Sequence, residues 1–159
     1  MSKNIEFSIY SYTKNIRKLV DNYSFTAFDF TEKVFRNENR FVILREYEDK
    51  FCIIEETYIE KYKTRKYLCK SVKSSYVDKK KHFVNDFTYF VDKFQYTLAS
   101  DNVYKFWCYK SKDVCIEIYK QKEEDIYLIK ASSFNEKYLD NELVFLELWY
   151  EFKKPIIEI

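Results

Sequence analysis

Glycine is absent from the 159 residues, and proline, histidine and methionine occur once each. Phosphate-cradling loops, the dinucleotide fingerprint and the nucleophile elbow all need backbone that approaches a ligand closely or takes positive φ, and glycine supplies that freedom. Those three motif classes are therefore excluded. A Ser-His-Asp or Cys-His site would have to use His82, which sits among Lys79, Lys80 and Lys81 and reads as an exposed face residue. The four cysteines, Cys52, Cys69, Cys108 and Cys115, form no CxxC pair, so buried free thiols are expected rather than structural zinc. No apolar run approaches the ~20 residues that span a bilayer, and Met1 to Phe7 lacks a basic segment followed by an apolar one. The expectation is a cytoplasmic protein without membrane contact, metal or cofactor.

What is present describes a folded chain. Hydrophobic residues make up 47% and charged residues 34%, with 16 Tyr and 15 Phe, so a core rich in aromatic rings is expected rather than a disordered tail. Lys, Asn, Ile, Tyr and Phe are favoured over Ala, Gly and Pro. That bias follows AT-rich codons and points to an AT-rich bacterium, a phage or a large DNA virus.

The strongest pattern runs from residue 103 to 152. Val103-Tyr-Lys-Phe-Trp-Cys-Tyr109, Val114-Cys-Ile-Glu-Ile-Tyr119 and Asp125-Ile-Tyr-Leu-Ile-Lys130 are short apolar runs split by charged turns, which predicts an antiparallel meander. Ahead of it, Phe83, Phe87, Phe90, Val91, Phe94 and Leu98 recur at spacings of three and four, predicting an amphipathic helix over residues 78–99 capped by Asp78. Val114, Ile116 and Ile118 are expected to pack on that stripe. Ile5, Phe7 and Ile9 alternate as in an edge strand, and Ile16, Leu19 and Val20 fit a short helix after Thr13. Residues 23–35 fit strand and helix equally. Arg40 to Arg45 and Phe51 to Glu56 read as a hairpin, with Asn39 and Asp49 suited to left-handed turn positions, and Lys66 to Val72 adds a strand. Val144, Leu146, Leu148, Tyr150 and Phe152 alternate with Glu147 and Glu151, favouring a long closing strand over a helix.

The predicted fold is one α+β domain over residues 1–159. An antiparallel meander sheet is packed on one face by the helix of residues 78–99 and by a short N-terminal helix. A loose α-βββ duplication, residues 13–72 and 78–152, fits the element order.

Charge placement is more informative than any single residue. Lys61, Lys63, Arg65, Lys66, Lys70, Lys73, Lys79, Lys80 and Lys81 face one acid, Asp78, while Glu136, Asp140, Glu142, Glu147 and Glu151 face one base, Lys137. Interleaved with Tyr62, Tyr67 and Tyr76, the basic section suits a single-stranded nucleic-acid groove, although lysines that protect an edge strand look the same. The acidic section with Trp149 suits a protein partner and could mimic phosphates to a nuclease. Tyrosine is enriched where proteins grip one another. Glu55 with Glu56, and Glu123 with Glu124 and Asp125, read as solvating charges at strand ends.

In element order, the helix Phe83 to Leu98 followed by Tyr104-Lys-Phe-Trp107, Val114-Cys-Ile-Glu-Ile118, Ile126-Tyr-Leu-Ile129 and a long apolar closing segment resembles small intracellular immunity proteins of bacterial polymorphic-toxin systems, the WapI-type family. The resemblance implies a non-enzymatic protein that occludes one toxin. A phage or viral counter-defence protein that blocks a host defence protein is the neighbouring expectation. Single-stranded nucleic-acid binding through residues 61–81 is the alternative.

Overall fold

The structure, a computed structural model, describes residues 4–59, 67–79, 83–111 and 113–145. Its strands are β1 (Asn4–Thr13), β2 (Thr26–Asn37), β3 (Arg40–Glu46), β4 (Lys50–Tyr58), β5 (Leu68–Asp78), β6 (Thr97–Ser111), β7 (Val114–Gln121) and β8 (Tyr127–Ser133). Three helices join or follow them: α1 (Arg17–Asn22), α2 (Phe83–Lys93) and α3 (Glu136–Phe145). The predicted meander is present as β6, β7 and β8. It is not an open sheet, however: all strands pair antiparallel in the order β1-β5-β4-β3-β2-β6-β7-β8, and β8 returns to β1. Closure removes both edges and leaves an interior about wide enough for side chains or one small ligand.

A closed sheet has an outer and an inner face, and this chain makes the outer one apolar. On one side Ile9, Ile116, Ile118, Ile129 and Ala131 form a buried cluster with Ile16 beside α1, Leu19 of α1, and Leu139 and Leu143 of α3. On the other, Val42, Leu44 and Phe51 pack against Phe87 and Val91 of α2. The helices thus cover the barrel wall from outside. Asn135 caps α3 by accepting from the Lys137 backbone N–H at 3.0 Å, and the Ser111 hydroxyl donates to Glu142 at 2.6 Å. The Tyr67 hydroxyl also donates to Asp140, a second tie to α3.

Several expectations are corrected. The α+β description holds only in the broad sense, since three short helices decorate a barrel. Within residues 23–35, the strand β2 takes everything from Thr26 on. The helix predicted over residues 78–99 ends at Lys93, Asp78 closes β5 instead of capping it, and Leu98 lies in β6. Its stripe does not meet Val114, Ile116 and Ile118, which pack under α1 and α3. The closing segment is helical through Phe145, because Leu139 and Leu143, four apart, seat on the wall; residues 146–152 lie outside the described residues. Positive φ falls at Glu38 (55°) and Gln95 (60°), not at Asn39 or Asp49. Asn39 instead donates its side-chain amide to the Tyr58 carbonyl at 3.0 Å.

Leu139→Ala and Leu143→Ala should each cost about 2–5 kcal/mol, because both side chains are fully buried and leave cavities. Tyr138→Ala, at an exposed position on the same helix, should change stability by less than about 1 kcal/mol. Urea unfolding with equal midpoints for all three variants would show that α3 is not docked.

Candidate functional site in the barrel lumen

Inward positions follow from the register. Glu6 stands opposite Lys70, Tyr10 opposite Lys130, Glu117 opposite Lys130 and Cys108, and Glu32 opposite Arg45. Arg45 on β3 and Tyr119 on β7 are separated along the wall by β2 and β6. Their 3.0 Å hydrogen bond, with the guanidinium donating to the hydroxyl, therefore crosses the lumen.

These groups form one continuous belt. Arg45 Nε donates to Glu32 at 2.7 Å, and the Tyr119 hydroxyl passes a bond on to Glu117 at 2.8 Å. Lys130 lies 3.6 Å from Glu117 and 2.9 Å from Glu6. Lys70 lies 3.6 Å from Glu6, pairs closely with Glu56 and donates to the Tyr10 hydroxyl at 3.1 Å. Arg45 is seated over the rings of Phe30, Phe106 and Tyr119 at 4.8, 5.6 and 5.5 Å, within cation-π range.

Burial alone would discharge the bases and protonate the acids, but the belt reverses that. Against burial, Tyr119, Glu32 and Glu117 keep Arg45 well above its ordinary pKa, and Tyr10, Glu6 and Glu117 do the same for Lys130. Lys70 is raised in spite of burial and of Lys130, by Tyr10, Glu56 and Glu6. Glu56 and Glu117 are lowered against burial, the first by Lys70 and Lys130, the second by Lys130 and Arg45. Burial pushes Tyr58 and Tyr119 up, so both remain neutral donors. Four carboxylates against three cations leave the belt one negative charge in excess.

The belt does not fill the lumen. A cavity of about 1140 Å³ reaches one end of the barrel, bordered by Glu6, Arg45, Glu56, Glu117 and Lys130 inside. Phe28, Tyr76, Phe134 and Tyr138 surround its mouth and are exposed large rings. Glu6 Oε1 and Glu56 Oε2 are buried without a well-aligned hydrogen bond; their lysine contacts are ionic. Among the described residues no three His, Cys, Asp or Glu side chains converge as ligands for a resident metal ion.

Of the residues singled out from sequence, those among the described residues do not converge as the belt does. Lys70 does not belong to an exposed basic groove; it is buried in the belt. Lys73 and Lys79 are exposed, with Lys79 3.2 Å from Glu46, while Lys61, Lys63, Arg65, Lys66, Lys80 and Lys81 lie outside the described residues, as does His82. Glu142 is buried against Ser111, Asp140 accepts from Tyr67, and Glu136 is half-buried, so this acidic section is partly internal. Glu147, Trp149 and Glu151 lie outside the described residues. Glu56, read as a solvating charge, is a lumen group.

Lys70→Ala should destabilise by about 3–5 kcal/mol, since Glu6 and Glu56 keep buried charge without their lysine. Stability contributed by Glu56 and Glu117 is present above the unfolded carboxylate pKa of ~4.3 and lost as pH falls through their lowered folded values. That from Lys70 and Lys130 is full below ~10.4 and lost as pH rises through their raised values. Unfolding midpoints against pH should therefore form a plateau between those limits, and a plateau unchanged in Lys70→Ala would contradict the belt.

No family model matches the chain, and no curated protein sequence matches it. Solved structures do match over nearly its whole length. The PH1012 protein of Pyrococcus horikoshii OT3 aligns over 97% of this chain and 96% of its own at 11% identity, with a TM-score of 0.71. A chain of the Schizosaccharomyces pombe Mediator head module aligns over 91% and 94% at 12% identity, with a TM-score of 0.63. A Vibrio parahaemolyticus protein named a "putative adenylate cyclase" aligns over 96% and 90% at 10% identity, with a TM-score of 0.61. This overturns the resemblance to WapI-type immunity proteins, which rested on element order in the second half alone. The fold these proteins share with this chain is eight antiparallel strands closed in a ring.

Proposed function

We propose that the barrel binds a phosphate-bearing ligand in its lumen and takes it up together with a divalent cation. The observation that carries this reading is the alternating-charge belt bordering an open cavity. With one negative charge in excess, the lumen repels a bare polyphosphate. A magnesium complex changes the balance, because partners can be exchanged: the cation takes Glu6 and Glu56, whose oxygens are poorly satisfied, and Arg45 and Lys130 turn to phosphate oxygens. Each charge in the lumen keeps an opposite partner through that exchange. Aromatic rings at the mouth suit a base or other flat group on the ligand. The fold likeness to a protein named as an adenylate cyclase supports a nucleotide as ligand class. No catalytic step is assigned, since every lumen charge is already engaged with another.

A second reading keeps the expectation of a non-enzymatic protein-binding inhibitor. It is favoured by the exposed ring of Phe28, Tyr76, Phe134 and Tyr138 and by the fold likeness to a chain of the Mediator head module. In that reading the belt is only a buried, self-compensated structural network.

Calorimetric titration with ATP and with inorganic triphosphate separates the two. Binding is expected with magnesium present and should weaken at least about tenfold without it, and Lys130→Met should lower affinity by about 2–5 kcal/mol through loss of a buried charge contact. No heat with either ligand in magnesium would remove the first reading and leave the second.

A further inference from the structure

Two thiols border the lumen beside the belt residue Glu117. Cys108 on β6 and Cys115 on β7 are diagonal neighbours across the hairpin that closes one side of the mouth, since Cys108 pairs with Glu117 and Cys115 with Lys110. Their sulfurs are 3.6 Å apart, both residues are half-buried, and both border the cavity. Cys52 and Cys69, by contrast, are buried in other strands. A core thiol ordinarily sits against apolar neighbours as a small hydrophobe. These two face each other beside Lys110 and Glu117, with a cavity of about 1140 Å³ through which a small reagent can reach them. A proton shared between the sulfurs holds Cys108 below the ordinary thiol range and pushes Cys115 above it. One sulfur is thereby the better nucleophile.

We propose that Cys108 and Cys115 are a redox-active dithiol at the mouth of the lumen, closed to a disulfide by a low-molecular-weight disulfide of the oxidised-glutathione class. The Cys108 thiolate attacks one sulfur of the reagent, forming a mixed disulfide and expelling one glutathione thiolate, which takes up the proton Cys108 gave. The Cys115 sulfur then attacks Cys108, forming the internal bond, and its proton leaves with the second glutathione. Two cysteine thiols are oxidised and one reagent disulfide is reduced to two thiols. The loop enclosed is short, so the bond adds little constraint to the unfolded chain and is readily reversed by excess glutathione. That separates a switch from a structural staple. This chemistry does not depend on the phosphate reading, because it requires only the two sulfurs and access to them.

The test is redox titration of the full chain in glutathione buffers, followed by alkylation of remaining thiols and mass spectrometry. Expected is loss of two hydrogens from the intact mass, loss of two of the four alkylatable thiols, and a cross-linked peptide joining Cys108 to Cys115. Cys115→Ser should stop at a glutathione adduct on Cys108. On the unsubstituted chain, phenylarsine oxide, which requires two adjacent thiols, should bind once per chain and lose that binding after oxidation, whether or not the serine variant folds. A persistent glutathione adduct on the unsubstituted chain, a cross-link through Cys52 or Cys69, or no arsenical binding would overturn the proposal.

Discussion

Seven ionised side chains held inside a ring of strands are the constraint around which this molecule is built. Moving any one of them from water to a barrel interior costs several kcal/mol, and the cost is offset only while each retains its neighbours. Arg45 bonding Tyr119 across the lumen, and Lys130 lying between Glu6 and Glu117, tie β1, β3, β7 and β8 into one electrostatic unit. Strand register is specified by that unit as well as by the apolar wall. A slip of one residue would turn the belt charges onto the helices and Ile9, Ile116, Ile118 and Ile129 into the lumen.

The inversion of the usual layering follows from closure. In an open sheet the apolar face packs inward and the charged face meets water; here the apolar face is outside, under α1, α2 and α3, and the charged face is enclosed. The helices serve the barrel by hiding its wall. The same arrangement leaves a polar cavity open at one end, where the turns between β3 and β4 and between β6 and β7 meet the start of α3. Fold likeness to proteins with different printed descriptions shows that this scaffold by itself does not determine activity.

Most strands could be read from period two, and α2 from its phenylalanine stripe, because those signals are local. Closure is not local: β1 pairing with β8 joins residues more than a hundred positions apart, and nothing in either segment specifies a ring rather than an edge. The lumen site was missed for a related reason. Glu6, Glu117 and Lys130 alternate with apolar neighbours just as solvent-facing charges do, while Glu56 and Lys70 stand in charged stretches that read as solvating or as a basic groove. The available signal was their distribution, since acids and bases occupy the inward register of strand after strand and meet opposite charges across the ladders. The closing segment misled through a real alternation beyond Phe145, while Leu139 and Leu143 already carried the helical spacing of α3.

Nitrogen-detected NMR of the lysine ammonium groups tests the central claim most directly. Lys70 and Lys130 should give ammonium signals protected from solvent exchange at neutral pH, and the Lys130 signal should move on addition of magnesium and triphosphate together but not of triphosphate alone. Two signals that exchange as fast as those of exposed Lys73, or that ignore the ligand in magnesium, would contradict a buried charge belt that exchanges partners with a bound phosphate.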